Sequence, residues 1–151
     1  MDDAQHILIS LEERYAEGIL KGQKQVEFRR RPMSVTCGTV VWMYAKKPRG
    51  AIVGYVRVKN LYELAPSTLW KRFSTVSGLT KQEFFEYLGG VDTGFALGLE
   101  KAERILEPIP LEVLRSKVKG FHPPQFFMRI NPGSRLMATV VSGSKRLGGA
   151  T

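Results

Sequence analysis

The sequence predicts an α+β fold, in which a small β-barrel carries flanking helices and a helical insertion at about residues 65–90. Two observations support this fold class. Short segments of strand character occur along the whole chain, most clearly at residues 39–45 and 51–61, which are rich in valine and aromatic residues. Helix-like segments lie among them, but the regular strand–helix–strand alternation of a doubly wound sheet is absent.

The chain is predicted to begin with a strand, a helix and a second strand. Residues 7–11 form an apolar run typical of a buried strand. Residues 12–21 carry an apolar face, and Ser10 stands where the N-cap of this helix would be. Gly22 is then a helix stop, since glycine tolerates the left-handed backbone. The alternation in residues 24–29 predicts the second strand.

A hairpin and the insertion follow. Residues 39–61 are expected to form two antiparallel strands, and residues 46–50 (Lys-Lys-Pro-Arg-Gly) give the hairpin a cationic tip. Within the insertion, Thr80 and Glu83 have the spacing of a capping box, which predicts that a helix begins there. The sequence further predicts a strand over residues 93–105, a helix over 111–118 and a last strand over 125–130.

Composition limits the classes of protein that fit. The 151 residues are enough for one domain, which we place at residues 1–132. Residues 133–151 are rich in glycine and serine, and we expect a flexible tail there. No apolar run is long enough to cross a bilayer, so we expect no membrane partner. Cys37 is the single cysteine, which excludes an internal disulfide and favours a cytoplasmic location.

The net charge points to an anionic partner. The chain has 23 Lys and Arg against 14 Asp and Glu, a formal charge of +9. Basic proteins attract polyanions, above all nucleic acids. The two histidines, His6 and His122, have no acidic or cysteine neighbours at metal-ligand spacing, so we expect neither a metal nor a cofactor.

The most informative motif is G-x-K-x-x-E-x-R, formed by Gly22, Lys24, Glu27 and Arg29. These side chains could simply pair with one another. They could instead converge on a cleft beside the first helix if the chain bends near Gly22. There Lys24 would bind a phosphate or carbonyl, or act as a base after desolvation. Glu27 would accept from the amine of a nucleobase, and Arg29 would bind phosphate.

Two further basic clusters extend this hypothesis. Arg30 belongs to the run 29–31, and Lys46, Lys47 and Arg49 form the hairpin tip. Cationic side chains near aromatic ones are typical of surfaces that bind unpaired RNA, because cations follow the backbone while rings stack on bases. Tyr44 could stack in this way or, with Trp42 on the same strand face, belong to the core.

The order of these features resembles the ASCH domain of the PUA-like superfamily. The residues that carry the resemblance are Ser10, Gly22, Lys24, Glu27 and Arg29, followed by the hairpin, and it covers residues 6–130. The resemblance implies a PUA-like β-barrel whose cleft holds the motif, with a role linked to RNA. Some small ASCH proteins are enzymes, either N4-acetylcytidine amidohydrolases or ribonucleases, and this chain is longer than a minimal ASCH unit through residues 65–90. Here Glu27 takes the place of the amidohydrolase threonine, so that machinery is not reproduced.

Three hypotheses of function follow. The first is a protein that binds RNA, or a nucleotide or nucleoside ligand, in a cationic cleft. The second is a nucleoside or RNA hydrolase with Lys24 and Glu27 as catalytic residues. The third is a regulatory module that contacts a protein through residues 65–90. The predicted ligand-binding residues are Ser10, Lys24, Glu27, Arg29, Arg30, Tyr44, Lys46, Lys47 and Arg49.

Overall fold

The computed structural model describes residues 4–148, with side-chain environments for residues 4–144. Within this range the strands are β1 (His6–Leu11), β2 (Val26–Arg29), β3 (Val40–Ala45), β4 (Ala51–Leu64), β5 (Gly94–Pro110) and β6 (Phe127–Arg129). The helices are α1 (Glu13–Leu20), α2 (Pro66–Phe73), α3 (Lys81–Tyr87), α4 (Leu111–Lys117) and α5 (Arg135–Gly148), and Ser74–Val76 forms one 3-10 turn. The predicted α+β class is confirmed.

The strands form one curled sheet, a half-barrel, in the order β2-β5-β4-β3-β1-β6. All neighbouring strands are antiparallel except β1 and β3, which run parallel. The register between β4 and β5 shifts between Ile52 and Gly54. Strands β2 and β6 are the two edges of the sheet, so the open side of the half-barrel lies between them.

The sheet buries both of its faces. In β3, Val41 and Met43 belong to a core that also packs against α1, whereas Trp42 and Tyr44 belong to a second core beneath α4 and α5. This division follows from the alternation of side chains along a strand. A third, smaller core joins β2 to the insertion through Phe28, Phe84 and others. Trp42 also donates from Nε1 to Nδ1 of His6, at 3.0 Å.

The insertion agrees with its prediction. Helices α2 and α3 occupy residues 66–87, and Thr80 caps α3. The Thr80 hydroxyl accepts from the Glu83 amide at 3.1 Å, and the Glu83 carboxylate accepts from the Thr80 amide at 2.9 Å. This reciprocal pair is the predicted capping box. No helix in the described range is long and apolar enough to cross a membrane.

The assignment of Ser10 as a helix cap is wrong. Strand β1 runs through Leu11, and Ser10 pairs with Tyr44 of β3. The residue at the N-cap of α1 is Glu12, whose side chain makes no capping hydrogen bond. The parallel pairing with β3 therefore extends the strand past the position at which the local sequence signal would begin the helix.

The prediction of a flexible tail is also wrong for residues 135–148, which the structure describes as a helix. Residues 135–148 form α5, which Ser134 begins by accepting from the Met137 amide. Leu136 and Val140 are buried against β5 and α4. Gly143 permits close packing, because a Cβ there would lie 2.8 Å from the Ile109 Cδ1 atom. A small residue that suggests a flexible segment in the sequence thus allows a helix to pack closely on the sheet. Residues 149–151 lie outside the described range.

Candidate functional site

A cleft of about 550 Å³ opens where the half-barrel is incomplete. It lies beside the start of α1, the end of β2 and the segment that precedes β6, and the insertion forms one wall. We call it the motif cleft. Its lining residues are Ser10, Leu11, Glu12, Arg14, Tyr15, Lys24, Glu27, Phe28, Arg29, Lys46, Leu79, Glu83, Glu86, Tyr87 and Gln125.

Lys24 is buried in the floor of the cleft, with 3% of its surface exposed. Gly22, at φ +78°, provides the predicted bend that brings Lys24 toward Glu27. The lysine stem passes between two glycines: a Cβ on Gly18 would lie 3.3 Å from the lysine Cβ, and one on Gly78 would lie 3.1 Å from its Cδ. Side chains at either glycine would displace the lysine.

The lysine ammonium has two oxygen partners. Nζ donates to the Ser77 carbonyl at 2.6 Å and lies 3.6 Å from the Glu27 carboxylate. Burial lowers the pKa of Lys24, and the negative charge of Glu27 only partly opposes this shift. Desolvation disfavours the charged form of an amine. The site therefore holds a lysine that gives up its proton more readily than a solvated one.

Arg29 links the motif to the other edge of the sheet. Its Nη2 lies 3.1 Å from the Glu27 carboxylate, and its Nη1 donates to the Phe126 carbonyl at 3.3 Å. Since Arg29 ends β2 and Phe126 precedes β6, this side chain spans the open side of the half-barrel. Lys24, Glu27 and Arg29 thus form one buried network, as the hypothesis of convergence on a cleft requires.

Two polar atoms of this site lack a partner. Among the described side chains, the Ser10 hydroxyl and the Arg29 Nε are buried without a hydrogen bond. Buried polar groups are nearly always satisfied, and an unsatisfied one costs about 1–3 kcal/mol. Both residues line the motif cleft. A ligand with an acceptor for Arg29 and a polar group near Ser10 would satisfy them.

Aromatic side chains flank the polar floor. Tyr15 lies with its ring centroid 5.1 Å from Lys24 Nζ, and Tyr87 is 41% exposed at the wall formed by the insertion. Burial raises the pKa of both phenols, so both stay neutral near pH 7. Rings in such positions can stack on a planar ligand. Neither tyrosine is among the binding residues predicted from the sequence.

The lining carries as many acidic as basic side chains. Arg14 and Lys46 join Lys24 and Arg29, but Glu12, Glu83 and Glu86 join Glu27. Arg14 is paired with Glu83 at 2.7 Å. The sequence hypothesis of a cationic cleft counted only basic residues, whereas Glu12 lies at the N-cap of α1 and Glu83 and Glu86 lie on α3, far from the motif along the chain. The cleft is polar and balanced in charge.

The structure separates four predicted residues from this cleft. Tyr44, Lys47 and Arg49 line a shallow hollow beside the start of α4, and Tyr44 is 3% exposed as part of the core. Arg30 points away to the insertion, where it donates to the Tyr87 and Gly89 carbonyls at 2.7 and 2.8 Å. Ser10, Lys24, Glu27, Arg29 and Lys46 do line the motif cleft.

The insertion contributes to the site more than the sequence indicated. Leu79, Glu83, Glu86 and Tyr87 wall the motif cleft. A protein contact through residues 65–90 stays a prediction. No group of three or more His, Cys, Asp or Glu in the described range could hold a metal ion.

The curled six-stranded half-barrel with its flanking helices is a PUA-like fold. The model of the ASCH domain matches residues 9–113, and the chain belongs to this family. A curated relative from Zymomonas mobilis, an "ASCH domain-containing ribonuclease", is 31% identical over 123 residues, which is 82% of each chain. The predicted family is confirmed.

Two solved structures illustrate the range of the fold. The ASCH crystal structure from Zymomonas mobilis is 28% identical, with a TM-score of 0.85 over 91% of this chain and 94% of that one. The human THYN1 protein, in complex with DNA that contains 5-methylcytosine, has a TM-score of 0.59 over 94% and 98% of the two chains. At 12% identity the latter shows the fold alone.

Proposed function

We propose that this protein binds RNA and holds an unpaired base, or a single modified nucleotide, in the motif cleft. The observation that carries the proposal is the buried polar floor, in which Ser10 Oγ and Arg29 Nε have no partner. Charged groups fixed in advance lose little entropy when a ligand binds. The relative that is named a ribonuclease acts on RNA, and the net charge of +9 favours a polyanion.

The groups in the cleft suit a nucleobase. The Glu27 carboxylate can accept from an exocyclic amine, as carboxylates do from cytosine N4. The guanidinium of Arg29 can donate to a carbonyl oxygen or a ring nitrogen of the same base. Tyr15 and Tyr87 can stack on the face of an unpaired base, which is the usual way in which proteins hold single-stranded RNA.

Ser10→Ala gives the sharpest test of this site. The substitution removes a buried hydroxyl that has no partner, so the free energy of unfolding stays equal or rises. Binding of single-stranded RNA, followed by fluorescence anisotropy, should weaken by about fivefold to tenfold if a ligand uses that hydroxyl. Ser142→Ala, on the exposed side of α5, is the matched control and should bind as the wild type does.

Two results would count against the proposal. If the wild type does not bind single-stranded RNA at low salt, RNA is not its ligand. If Ser10→Ala and Ser142→Ala both bind as the wild type does, the hydroxyl takes no part in the binding site. A stability curve for each variant, measured in urea, separates lost binding from lost folding.

A second candidate function is cleavage of the bound RNA. The relative named a ribonuclease favours it, as does the lowered pKa of Lys24, which makes this amine a better base near neutral pH. In this reaction Lys24 would take the proton of a ribose 2′-hydroxyl, whose oxygen attacks the adjacent phosphorus and expels the 5′-oxygen. The expelled 5′-oxygen takes this proton back from the Lys24 ammonium, directly or through the Glu27 carboxylate 3.6 Å away, which leaves a 5′-hydroxyl on one fragment and a 2′,3′-cyclic phosphate on the other.

Lys24→Met separates cleavage from binding. Methionine has a similar unbranched shape but no proton to exchange. If Lys24 is the base, the variant should keep a folded structure and lose cleavage of a 5′-labelled RNA by about a hundredfold or more. Cleavage that persists in Lys24→Met would exclude this role. The assay includes a chelator, so that contaminating metal-dependent nucleases do not contribute.

A further inference from the structure

A second surface of this protein is strongly basic. Four exposed side chains, which we call the basic face, are Arg115, Lys117, Lys119 and Arg135. They surround a hollow of about 690 Å³ between the end of α4 and the start of α5, and no acidic residue lines it. Two acidic side chains, Glu107 and Glu112, line the hollows on either side of it. The charge of the hollow itself is therefore positive.

The basic face stands on a rigid platform. The core that contains Trp42 also contains Leu114 of α4, Leu136 of α5 and Phe121, which lies between these two helices. Arg115 Nε donates to the Phe121 carbonyl at 3.3 Å, which fixes the guanidinium across the loop that follows α4. Cations that surround one hollow can contact a strand of phosphates from several sides.

The basic face and the hairpin tip lie at opposite ends of α4. The Leu111 amide, at the start of α4, donates to the Gly50 carbonyl at 3.0 Å. Lys47 and Arg49 line the hollow at that end of α4. Helix α4 has 7 residues, so it separates the two groups of cations by only about 10 Å.

The hairpin tip in turn borders the motif cleft. Lys46 lines that cleft, and its amide donates to the Leu11 carbonyl at 2.8 Å. Exposed basic side chains therefore mark a path from Lys46 to Arg135 by way of the tip and α4, on which the exposed acid Glu112 also lies. Tyr44, Lys47 and Arg49 were predicted to bind RNA together with the motif, and the structure places them on this path outside the cleft.

We propose that the basic face binds the phosphodiester backbone of the RNA whose base occupies the motif cleft. This inference rests on the proposed function, and it implies that the bound RNA is several nucleotides long. The division of roles follows from charge: the lining of the cleft is balanced, whereas the basic face has an excess of cations. Contacts to phosphate provide affinity and position, and contacts to a base provide specificity.

The test compares two sets of charge removals of equal size. One variant carries Lys117→Ala, Lys119→Ala and Arg135→Ala. The control carries Lys59→Ala, Lys71→Ala and Arg72→Ala, which remove two lysines and one arginine from exposed positions elsewhere. Anisotropy titrations use a labelled single-stranded RNA of about 12 nucleotides and one of about 3, between about 50 and 200 mM salt.

The proposal predicts that the basic-face variant loses affinity for RNA and that the control variant does not. Affinity for the longer RNA should fall by about tenfold to a hundredfold, and the slope of log K against log salt should become shallower by about 2, since each phosphate contact contributes about 0.7. The control should bind nearly as the wild type does. The 3-nucleotide RNA should bind all three proteins alike, because it fills only the cleft.

Other outcomes would overturn it. If the two sets of variants lose affinity equally, the basic face contributes only net charge. If the face variant binds RNA normally but no longer binds vesicles that contain phosphatidylserine, the face contacts a membrane. If the face variant binds RNA normally while Ser10→Ala binds it more weakly, the basic face does not contact the RNA and the proposed function stands. If the wild type binds no RNA, both proposals fall.

Discussion

The motif cleft and the basic face use the same kinds of side chain in opposite environments. In the cleft, Lys24 and Arg29 are 3% and 8% exposed and are held by the carboxylate of Glu27. On the basic face, Lys117 and Lys119 are exposed and no acid lines their hollow. One region carries fixed, paired charges within the fold; the other carries an uncompensated charge in solvent.

This difference teaches which charges shape the protein and which attract its partner. A buried ion that loses its partner destabilises the fold strongly, whereas an exposed charge contributes little to folding and is screened by salt. Substitutions in the cleft should therefore change stability and ligand specificity. Substitutions on the basic face should change affinity and its salt dependence, with stability almost unchanged.

The largest expected effect on stability is at Arg29. Arg29→Met removes the link from β2 to Phe126 and leaves Glu27 with Lys24 as its remaining partner at 3.6 Å. We expect the free energy of unfolding in urea to fall by about 3–5 kcal/mol. Arg30→Met is the control, since Arg30 is exposed, and should cost about 1 kcal/mol or less. Equal losses at the two positions would contradict the assignment of Arg29 as a link between sheet edges.

The second effect concerns the platform beneath the basic face. Leu136 is 5% exposed, and Leu136→Ala should lower the free energy of unfolding by about 2–3 kcal/mol. Ala138→Ser, at an exposed position of the same helix, should change it by no more than about 0.5 kcal/mol. A neutral Leu136→Ala would mean that α5 does not pack on the sheet in solution, and the basic face would lose its rigid support.

A pH dependence should distinguish Lys24 from exposed lysines. Its lowered pKa means that the folded protein binds this proton less tightly than the unfolded chain does. The unfolded chain therefore carries more protons as the pH approaches the ordinary value of 10.5, and the free energy of unfolding rises in that range. At lower pH the buried, charged amine destabilises the folded protein.

Urea midpoints of the wild type and Lys24→Met, taken from about pH 7 to about pH 10, measure this contribution. The wild type should gain stability relative to the variant as the pH rises. Lys117→Met, on the basic face, should follow the wild-type profile because its lysine is exposed. Parallel profiles for the wild type and Lys24→Met would show that burial does not lower this pKa.

The smallest effect should come from an acid of the motif cleft. Glu86 lines the cleft and is exposed, so Glu86→Gln should leave stability within about 0.5 kcal/mol. Because it removes a negative charge from a balanced lining, affinity for RNA should rise by about twofold to threefold at low salt. Glu63→Gln, an exposed acid outside this cleft, is the control. A fall in affinity would show instead that Glu86 itself contacts the ligand.

Some of the site could be predicted because its residues are neighbours in the chain. Lys24, Glu27 and Arg29 lie within one bend and one short strand, so local spacing indicated a common cleft once Gly22 allowed the bend. Thr80 and Glu83 were equally local, and their capping box is confirmed. The family could be inferred from the same motif and its place after a strand and a helix.

The rest depended on contacts between distant segments. Tyr15 of α1, Tyr87 of α3 and Gln125 before β6 come from three distant segments that the fold brings to one cleft. The alternation of side chains along β3 places Tyr44 in the core. Lys47 and Arg49, at the hairpin tip, line a separate hollow outside the motif cleft. Helix α5 was missed because a glycine that permits close packing looks the same in sequence as one in a flexible tail.

Photocrosslinking of a 4-thiouridine RNA, with the attached peptides identified by mass spectrometry, tests the central claim most directly. A base held in the motif cleft should crosslink to Tyr15 or Tyr87, which flank its floor. These crosslinks should weaken in Ser10→Ala and persist when the basic face is neutralised and the RNA concentration is raised to compensate. Crosslinks confined to other surfaces, with none at either tyrosine, would contradict the account.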